Sequence, residues 1–193
     1  MLGEMVKQER FLLNNNHNDE LRHFTKEEQK EYNRILDDIY RPWTGLSAVS
    51  LSKYIVSKCY QDDCPVTNIE LQCLLYIIQR KFIACYMIAF FDDFEAWSFG
   101  AVIPNSYYNF CGFGAMPITH INYDINIAEK HKKFLDLIIE TYRKYKPLEL
   151  IDEVKIPNGA WETIYNNNEI KKKIIPMGLI KKDAIARGEI IND

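Results

Sequence analysis

Residues 90–110 constrain the fold of this chain more than any other stretch, because they place many aromatic side chains around one glycine and one proline. Phenylalanines and a tryptophan flank the Asp92-Asp93 pair, a combination that favours a tight reversal between two short strands. Gly100 marks a backbone position that a side chain is expected to crowd. Pro104 suits the first position of a helix, where its missing N–H breaks no hydrogen bond. The segment therefore predicts strand, turn, strand, a glycine corner and a short aromatic helix.

Helical patterns occupy much of the remaining chain. Thr67 and Glu70 form a capping-box pattern, and the apolar residues that follow recur at helical spacing: Leu71, Leu74, Leu75, Ile78 and Phe82. Ser47 is suited to cap the preceding helix. Three later helices are expected to begin near Asn126, Pro147 and Lys181. The expected fold class is mainly α (α+β), a helical domain packed on a small antiparallel β-hairpin.

Composition narrows the classes of partner. Hydrophobic residues make up 47% of the chain and charged residues 26%, enough to bury a core and keep a charged surface. The net charge of -3 argues against direct nucleic-acid binding, whose footprint is basic. The N-terminus lacks the pattern of a signal peptide, and charged residues interrupt the most apolar run, residues 71–91, so no membrane partner is expected. Five cysteines without Cys-x-x-Cys spacing predict reduced thiols and a cytoplasmic location.

The sequence contains one candidate catalytic pair. Cys111 and His120 lie near each other in sequence, and a thiol with an imidazole can support nucleophilic catalysis. Nothing local holds the two together, and the simpler interpretation of Cys111 is a small apolar filler of the core. Asp92, Asp93 and Glu95 form an acidic cluster, but the two aspartates fit a turn better than a cation site. No catalytic residue, metal site or cofactor is therefore predicted.

Two segments carry a more specific pattern. Residues 73–76 read Cys-Leu-Leu-Tyr, and residues 95–107 read Glu-Ala-Trp-Ser-Phe-Gly-Ala-Val-Ile-Pro-Asn-Ser-Tyr. Together with a later helix that leads to Trp161, this order resembles the Panacea domain, a family common in prophages and mobile elements. The resemblance implies a Panacea-like domain over residues 46–193. Residues 1–45 are then an N-terminal helical extension that the family does not explain.

The resemblance implies protein neutralisation without catalysis. The chain is expected to bind a cognate toxin directly, as the antitoxin of a toxin–antitoxin pair. Cys73 and Ala101 stand where the family has a lysine and a proline, which is typical of a divergent member. One alternative is a phage-encoded inhibitor of a host defence protein such as a CRISPR nuclease, with residues 1–45 contributing to inhibition. Another is a cysteine-dependent enzyme that uses Cys111 with His120.

Tyrosine and tryptophan provide large, rigid contact surfaces with a polar tip, as interface anchors do. The candidate partner contacts are therefore Tyr76, Trp97, Tyr107, Tyr108 and Trp161, with burial in the core as the alternative for Tyr76 and the tryptophans. Tyr107 and Tyr108 are adjacent on a helix and must point in different directions, so one of them is expected to face solvent. Four motif residues are expected to build the scaffold: Glu95, Ala96, Gly100 and Pro104. The sequence leaves the oligomeric state open.

Overall fold

A computed structural model describes residues 45–85, 87–167 and 173–190. The elements follow in the order α1 (Ala48–Gln61), α2 (Asn68–Ala84), β1 (Phe94–Trp97), β2 (Gly100–Val102), α3 (Pro104–Phe110), α4 (Glu129–Tyr142), α5 (Pro147–Val154), α6 (Ala160–Tyr165), β3 (Ile174–Ile175) and α7 (Met177–Ala186). The predicted class, mainly helical with a small antiparallel sheet, is confirmed. The extension predicted for residues 1–45 lies almost entirely outside the described residues. Within the described ranges, no helix is both long and apolar enough to cross a membrane.

Helix α2 lies at the centre of the core. The predicted capping box closes its N-terminus: Glu70 N–H donates to Thr67 Oγ1 at 3.3 Å, and Thr67 N–H donates to Glu70 Oε2 at 2.7 Å. The five apolar residues that predicted this helix are fully buried: Leu71, Leu74, Leu75, Ile78 and Phe82. Side chains of this size each contribute about 1.5–3 kcal/mol when removed from water. Helix α2 packs mainly against α5 and α7 and orders the core between them.

The sheet has three antiparallel strands in the order β2-β1-β3, one more than the predicted hairpin. Ala96 pairs with Ala101, and the chain reverses at Ser98-Phe99. The prediction of a turn at Asp92-Asp93 was therefore wrong. Asp92 Oδ2 instead accepts a hydrogen bond from Ala48 N–H at 2.8 Å, at the start of α1, where the helix dipole favours a carboxylate.

Proline and serine begin the helices as predicted, but two other helix starts shift. Pro104 is the first residue of α3 and Pro147 the first of α5. Ser47 Oγ accepts from Ser50 N–H at 3.2 Å and caps α1. The helix expected near Asn126 begins at Glu129, and the helix expected near Lys181 begins at Met177, directly after Pro176. Pro176 follows the short strand β3 and is the N-cap residue of α7.

Gly100 and Gly159 each occupy a position that disfavours a side chain, but for different physical reasons. Gly100 has φ +146°, a conformation that side chains rarely allow, yet an added Cβ would lie 3.9 Å from Val154 Cγ1, an ordinary contact. The prediction of crowding at Gly100 was therefore wrong, and its backbone angle is the constraint. Gly159 is the crowded position, because a Cβ there would lie 2.7 Å from Ile156 O and 2.9 Å from Asp183 Oδ1.

Arg80 places a fully buried charge in the middle of α2. Its Nε and Nη2 donate to the two carboxylate oxygens of Glu189 at 3.1 and 3.0 Å, and Nη2 also reaches Glu153 Oε2 at 2.7 Å. Burial lowers the pKa of Arg80, but the Glu189 and Glu153 carboxylates outweigh that effect and raise it. The cluster ties α2 to α5 and to the residues that follow α7.

Candidate protein-interaction site

Four aromatic rings from the β1–β2 turn and helix α3 form one cluster at the surface, the aromatic patch: Trp97, Phe99, Tyr107 and Tyr108. The centroid of the Trp97 ring lies 5.2 Å from that of Tyr107 and 5.7 Å from that of Phe99, and both pairs are edge-to-face. The ring centroids of Tyr107 and Tyr108 lie 5.9 Å apart. Tyr108 is 62% exposed, whereas the other three rings are half-buried. The expectation that one of the two adjacent tyrosines faces solvent is met by Tyr108.

A second aromatic pair joins the patch through the backbone of Trp97. Trp161 Nε1 donates to Trp97 O at 2.8 Å, and its ring stacks on Tyr165 at 4.8 Å. Lys155 Nζ lies 4.1 Å above the Trp161 ring and donates to Ser98 O at 2.8 Å. Lys155, directly after α5, and Trp161 of α6 therefore hold the β1–β2 turn by hydrogen bonds to its backbone, in addition to the ring contacts from α3.

Buried polar side chains support the patch from below. Gln72 Oε1 accepts from Ile103 N–H at 3.0 Å, and its Nε2 donates to Ser106 Oγ at 3.1 Å. Ser106 Oγ also bonds Ser52 Oγ at 2.7 Å, and Asn68 Nδ2 donates to Tyr107 O at 2.9 Å. All four supporting side chains are almost fully buried. The sequence interpretation missed them, although polar residues at buried positions of an apolar helix are a usable signal.

The patch lies in a segment without charge. Residues 96–122 contain no aspartate, glutamate, lysine or arginine, in a chain of which 26% of residues are charged. Several residues of this segment are nevertheless exposed, including Tyr108 and Met116, which is 68% exposed. Depletion of charge with enrichment of tyrosine and methionine is typical of the centre of protein–protein interfaces.

The structure separates the predicted contact residues into two groups. Trp97, Tyr107, Tyr108 and Trp161 lie together at the surface. Tyr76 does not: its side chain is fully buried and its hydroxyl donates to Asp183 Oδ2 at 2.5 Å. The prediction of Tyr76 as a partner contact was therefore wrong, because its ring points from α2 into the core and packs edge-to-face on Phe94, with 5.2 Å between the ring centroids.

The motif residues occupy framework positions. Glu95 Oε2 accepts from Trp97 Nε1 at 2.8 Å and holds the indole against the sheet. Ala96 is buried in β1 opposite Ala101, where a small side chain fits beneath the helices. Gly100 supplies the backbone angle at the start of β2, and Pro104 opens α3.

Cys111 and His120 have different partners. Cys111 Sγ donates to Tyr108 O at 3.2 Å, and the thiol is exposed rather than a core filler. His120 Nδ1 lies 3.4 Å from the Tyr60 hydroxyl, with ring centroids 5.9 Å apart. Among the described residues, no group of three or more histidine, cysteine, aspartate or glutamate side chains is arranged to hold a metal ion. A cysteine enzyme stays an alternative prediction without a supporting contact.

A cleft of about 270 Å³ lies where α1 and α4 meet residues 123–125. Several of its polar groups pair with one another or with Glu140: Lys58 Nζ lies 2.8 Å from Glu140 and 3.2 Å from Asp62, and the Tyr54 hydroxyl donates to Asp136 at 2.5 Å. Burial and then Asp136 raise the pKa of Tyr54 far above its usual range. Burial lowers the pKa of Lys58, but its carboxylate partners outweigh this and raise it. These pairs connect α1 to α4 and leave the aromatic patch as the stronger candidate site.

No protein-family model, curated protein or solved structure matches this chain. A function is therefore inferred from the site itself and from the motif resemblance.

Proposed function

We propose that this chain is a non-catalytic protein-binding domain whose aromatic patch contacts its partner. The observation that carries the proposal is Tyr108, a 62% exposed ring that rests on the rings of Trp97 and Tyr107. An exposed aromatic side chain held by its neighbours loses little conformational freedom on binding, which favours it as an anchor.

The surroundings of Tyr108 support a protein partner over a nucleic acid. The segment 96–122 offers no cation to neutralise phosphates. Lys155, a cation beside the patch, already binds Ser98 O and the Trp161 ring. A protein surface of similar polarity, with apolar groups at its centre, matches the patch better.

The finer proposal is that the partner is a toxin and that the chain is its antitoxin in the cytoplasm. This step rests on the resemblance of residues 73–76 and 95–107 to the Panacea domain, whose members include antitoxins. It predicts that the product of an adjacent reading frame stops growth when expressed alone. Co-expression with this chain is expected to restore growth, and the two proteins are expected to co-purify.

The test replaces Tyr108 with alanine and measures binding to the purified neighbour product by calorimetry. Loss of an interface anchor is expected to weaken binding by about 2 kcal/mol, or roughly 30-fold. Tyr145→Ala is the matched control, since Tyr145 is also an exposed tyrosine (39%) that packs against a second ring, Tyr142, outside the patch. Equal affinities for the two variants would rule out the patch as the binding site, and a harmless neighbour that never binds would rule out the antitoxin.

A further inference from the structure

Helix α1 ends in a Schellman motif that carries a cysteine on each side of its turn. Cys64 N–H donates to Cys59 O at 2.9 Å, and Asp63 N–H donates to Tyr60 O at 3.2 Å. Asp63 has φ +52°, the left-handed conformation that this motif requires. Cys59 and Cys64 therefore occupy the two positions of the motif whose side chains often pack against each other.

The hydrogen bond between their backbones limits the distance between the two cysteines. With standard bond lengths on either side of the 2.9 Å contact, the Cα atoms of Cys59 and Cys64 lie no more than about 6.8 Å apart. Disulfides join residues whose Cα atoms are usually about 4.4–6.8 Å apart. The separation of this pair therefore does not exceed the range that a disulfide spans.

Both thiols also face the same residue, Arg143, which directly follows α4. Cys64 Sγ donates to Arg143 O at 3.8 Å, and the Arg143 side chain lies beside the Cys59 thiol. Burial raises the pKa of Cys59 to about 12, and the charge of Arg143 opposes part of that effect. Cys59 is fully buried whereas Cys64 is partly exposed, so an oxidant in solution reaches Cys64 first.

The remaining cysteines lie on or beside other elements. Cys73 is buried in α2, and Cys85, directly after that helix, is about 18 Å further along its axis. Cys111 follows α3 and donates to Tyr108 O at 3.2 Å. Cys59 and Cys64 are the pair that a backbone hydrogen bond holds together.

We propose that Cys59 and Cys64 form a reversible dithiol site that hydrogen peroxide oxidises to a disulfide. The Cys64 thiolate attacks one peroxide oxygen, the O–O bond breaks, and the departing hydroxide takes up a proton to give water. Cys59 then attacks the sulfur of the Cys64 sulfenic acid. The S–S bond forms as the S–O bond breaks, and the Cys59 proton leaves with the hydroxyl group as a second water.

The two thiols together lose two electrons, and one peroxide molecule is reduced to two molecules of water. A dithiol reductant reverses the change by thiol–disulfide exchange. Because the sulfenic acid is consumed by its neighbour, Cys64 is protected from irreversible oxidation to the sulfinic acid.

The test treats the folded full chain with hydrogen peroxide, alkylates the remaining thiols and digests the chain with a protease that cleaves before aspartate. Asp62 and Asp63 lie between the two cysteines, so the fragments that carry Cys59 and Cys64 stay joined only through a disulfide. The oxidised chain is expected to lose the mass of two hydrogen atoms, and tandem mass spectrometry is expected to place the link between Cys59 and Cys64. Dithiothreitol is expected to separate the fragments again.

Two variants and an unfolded sample serve as controls. Cys64→Ser is expected to abolish the joined fragments, whereas Cys73→Ala removes a thiol outside the pair and is expected to leave them unchanged. In urea the same treatment is expected to give mixed pairings, because the turn no longer holds two particular sulfurs together. Far-ultraviolet circular dichroism shows that each variant keeps its fold.

Three results would each overturn the inference. The first is a folded wild type whose fragments separate while Cys64 is carried on to sulfinic acid. The second is a Cys64→Ser variant whose fragments stay joined, since Cys59 would then pair with another cysteine. The third is a folded chain that pairs its cysteines as unselectively as the unfolded one.

Discussion

Replacing Gln72 with leucine tests whether buried polar groups of α2 hold the aromatic helix in place. Gln72 is 1% exposed and makes three hydrogen bonds, with Ile103 N–H at 3.0 Å, Ser106 Oγ at 3.1 Å and Asn68 Oδ1 at 3.3 Å. Leucine has a similar volume and removes all three bonds without opening a large cavity.

The expected loss follows from what each former partner keeps. Ile103 N–H loses its acceptor at a buried position, which costs about 1–3 kcal/mol. Ser106 Oγ keeps Ser52 at 2.7 Å, so its bond to Gln72 counts at a net value of about 0.5–1.5 kcal/mol. The bond to Asn68 Oδ1 is long, at 3.3 Å, and is given the same net value. The extra apolar surface of leucine offsets about 1 kcal/mol. Together these terms predict that the free energy of unfolding falls by about 3 kcal/mol, within a range of about 1–5 kcal/mol.

Urea unfolding followed by circular dichroism measures this change as a lower midpoint with an unchanged slope. Gln61→Leu is the matched control, because Gln61 is exposed at the end of α1 and makes one hydrogen bond, to Asn122 Oδ1 at 2.9 Å. Its stability is expected to stay within about 0.5 kcal/mol of the wild type. If Gln72→Leu were as stable as Gln61→Leu, the polar support would have no energetic role and the reasoning would be refuted.

Arg80→Met removes the buried partner of Glu189 and Glu153, but Glu189 keeps Lys81 at 2.9 Å and Glu153 keeps Arg187 at 3.1 Å. The free energy of unfolding is therefore expected to fall by about 2–3 kcal/mol in the same urea titration, less than for a charge left uncompensated; a change below about 1 kcal/mol would contradict this. Gly159→Ala is expected to lower the free energy of unfolding by about 1–3 kcal/mol. The control is Gly178→Ala on α7, where nothing lies within 4 Å of the added Cβ, and it is expected to be neutral or stabilising. Thermal melts compare the two variants. Burial raises the pKa of Cys59 and of Cys73 to about 12, from 9.0. Above pH 9.0 the unfolded chain releases thiol protons that the folded chain keeps, so stability present below that pH is lost as pH rises toward about 12. The loss is about 1.4 kcal/mol per pH unit for each thiol, and urea unfolding of a double alanine variant should show a correspondingly shallower decline.

The sequence predicted α2 well because its signals are local. A capping box of two residues three positions apart, Thr67 and Glu70, and an apolar repeat within the next four turns determine this helix. The prolines at 104 and 147 act equally locally, since each fixes its own backbone angle at a helix start. Such features depend little on the rest of the fold.

The failures come from contacts between distant parts of the chain. Asp92 leaves the predicted turn because Ala48, 44 residues earlier, supplies the N–H that it binds. Strand β3 has only two residues, too few for a period of alternation, and β1 defines it. The crowding at Gly159 comes partly from Asp183, which lies on α7, a later helix in the sequence that packs against this position. None of these partners could be identified from local spacing.

The sequence predicted which aromatic residues are candidates for the site, but not which of them are exposed. Adjacency on a helix indicated that Tyr107 and Tyr108 point apart, but not which of them faces solvent. Tyr76 belongs to the same motif pattern, yet it is fully buried, because Phe94 of β1 and Asp183 of α7 lie against it. Burial of a given aromatic residue depends on which elements pack over it, and that information is not in the motif.

Helix α2 anchors the hairpin at both ends through one polar stripe. Gln72 and Gln79 are seven residues apart, two turns of one helix face. Gln79 binds the backbone before the hairpin, accepting from Ala89 N–H and donating to Phe90 O, both at 3.1 Å, while Gln72 binds Ile103 N–H after it. The aromatic patch is therefore built on a segment fixed on both sides. It follows that changes at Tyr108 should alter binding without altering stability, whereas changes at Gln72 should alter both.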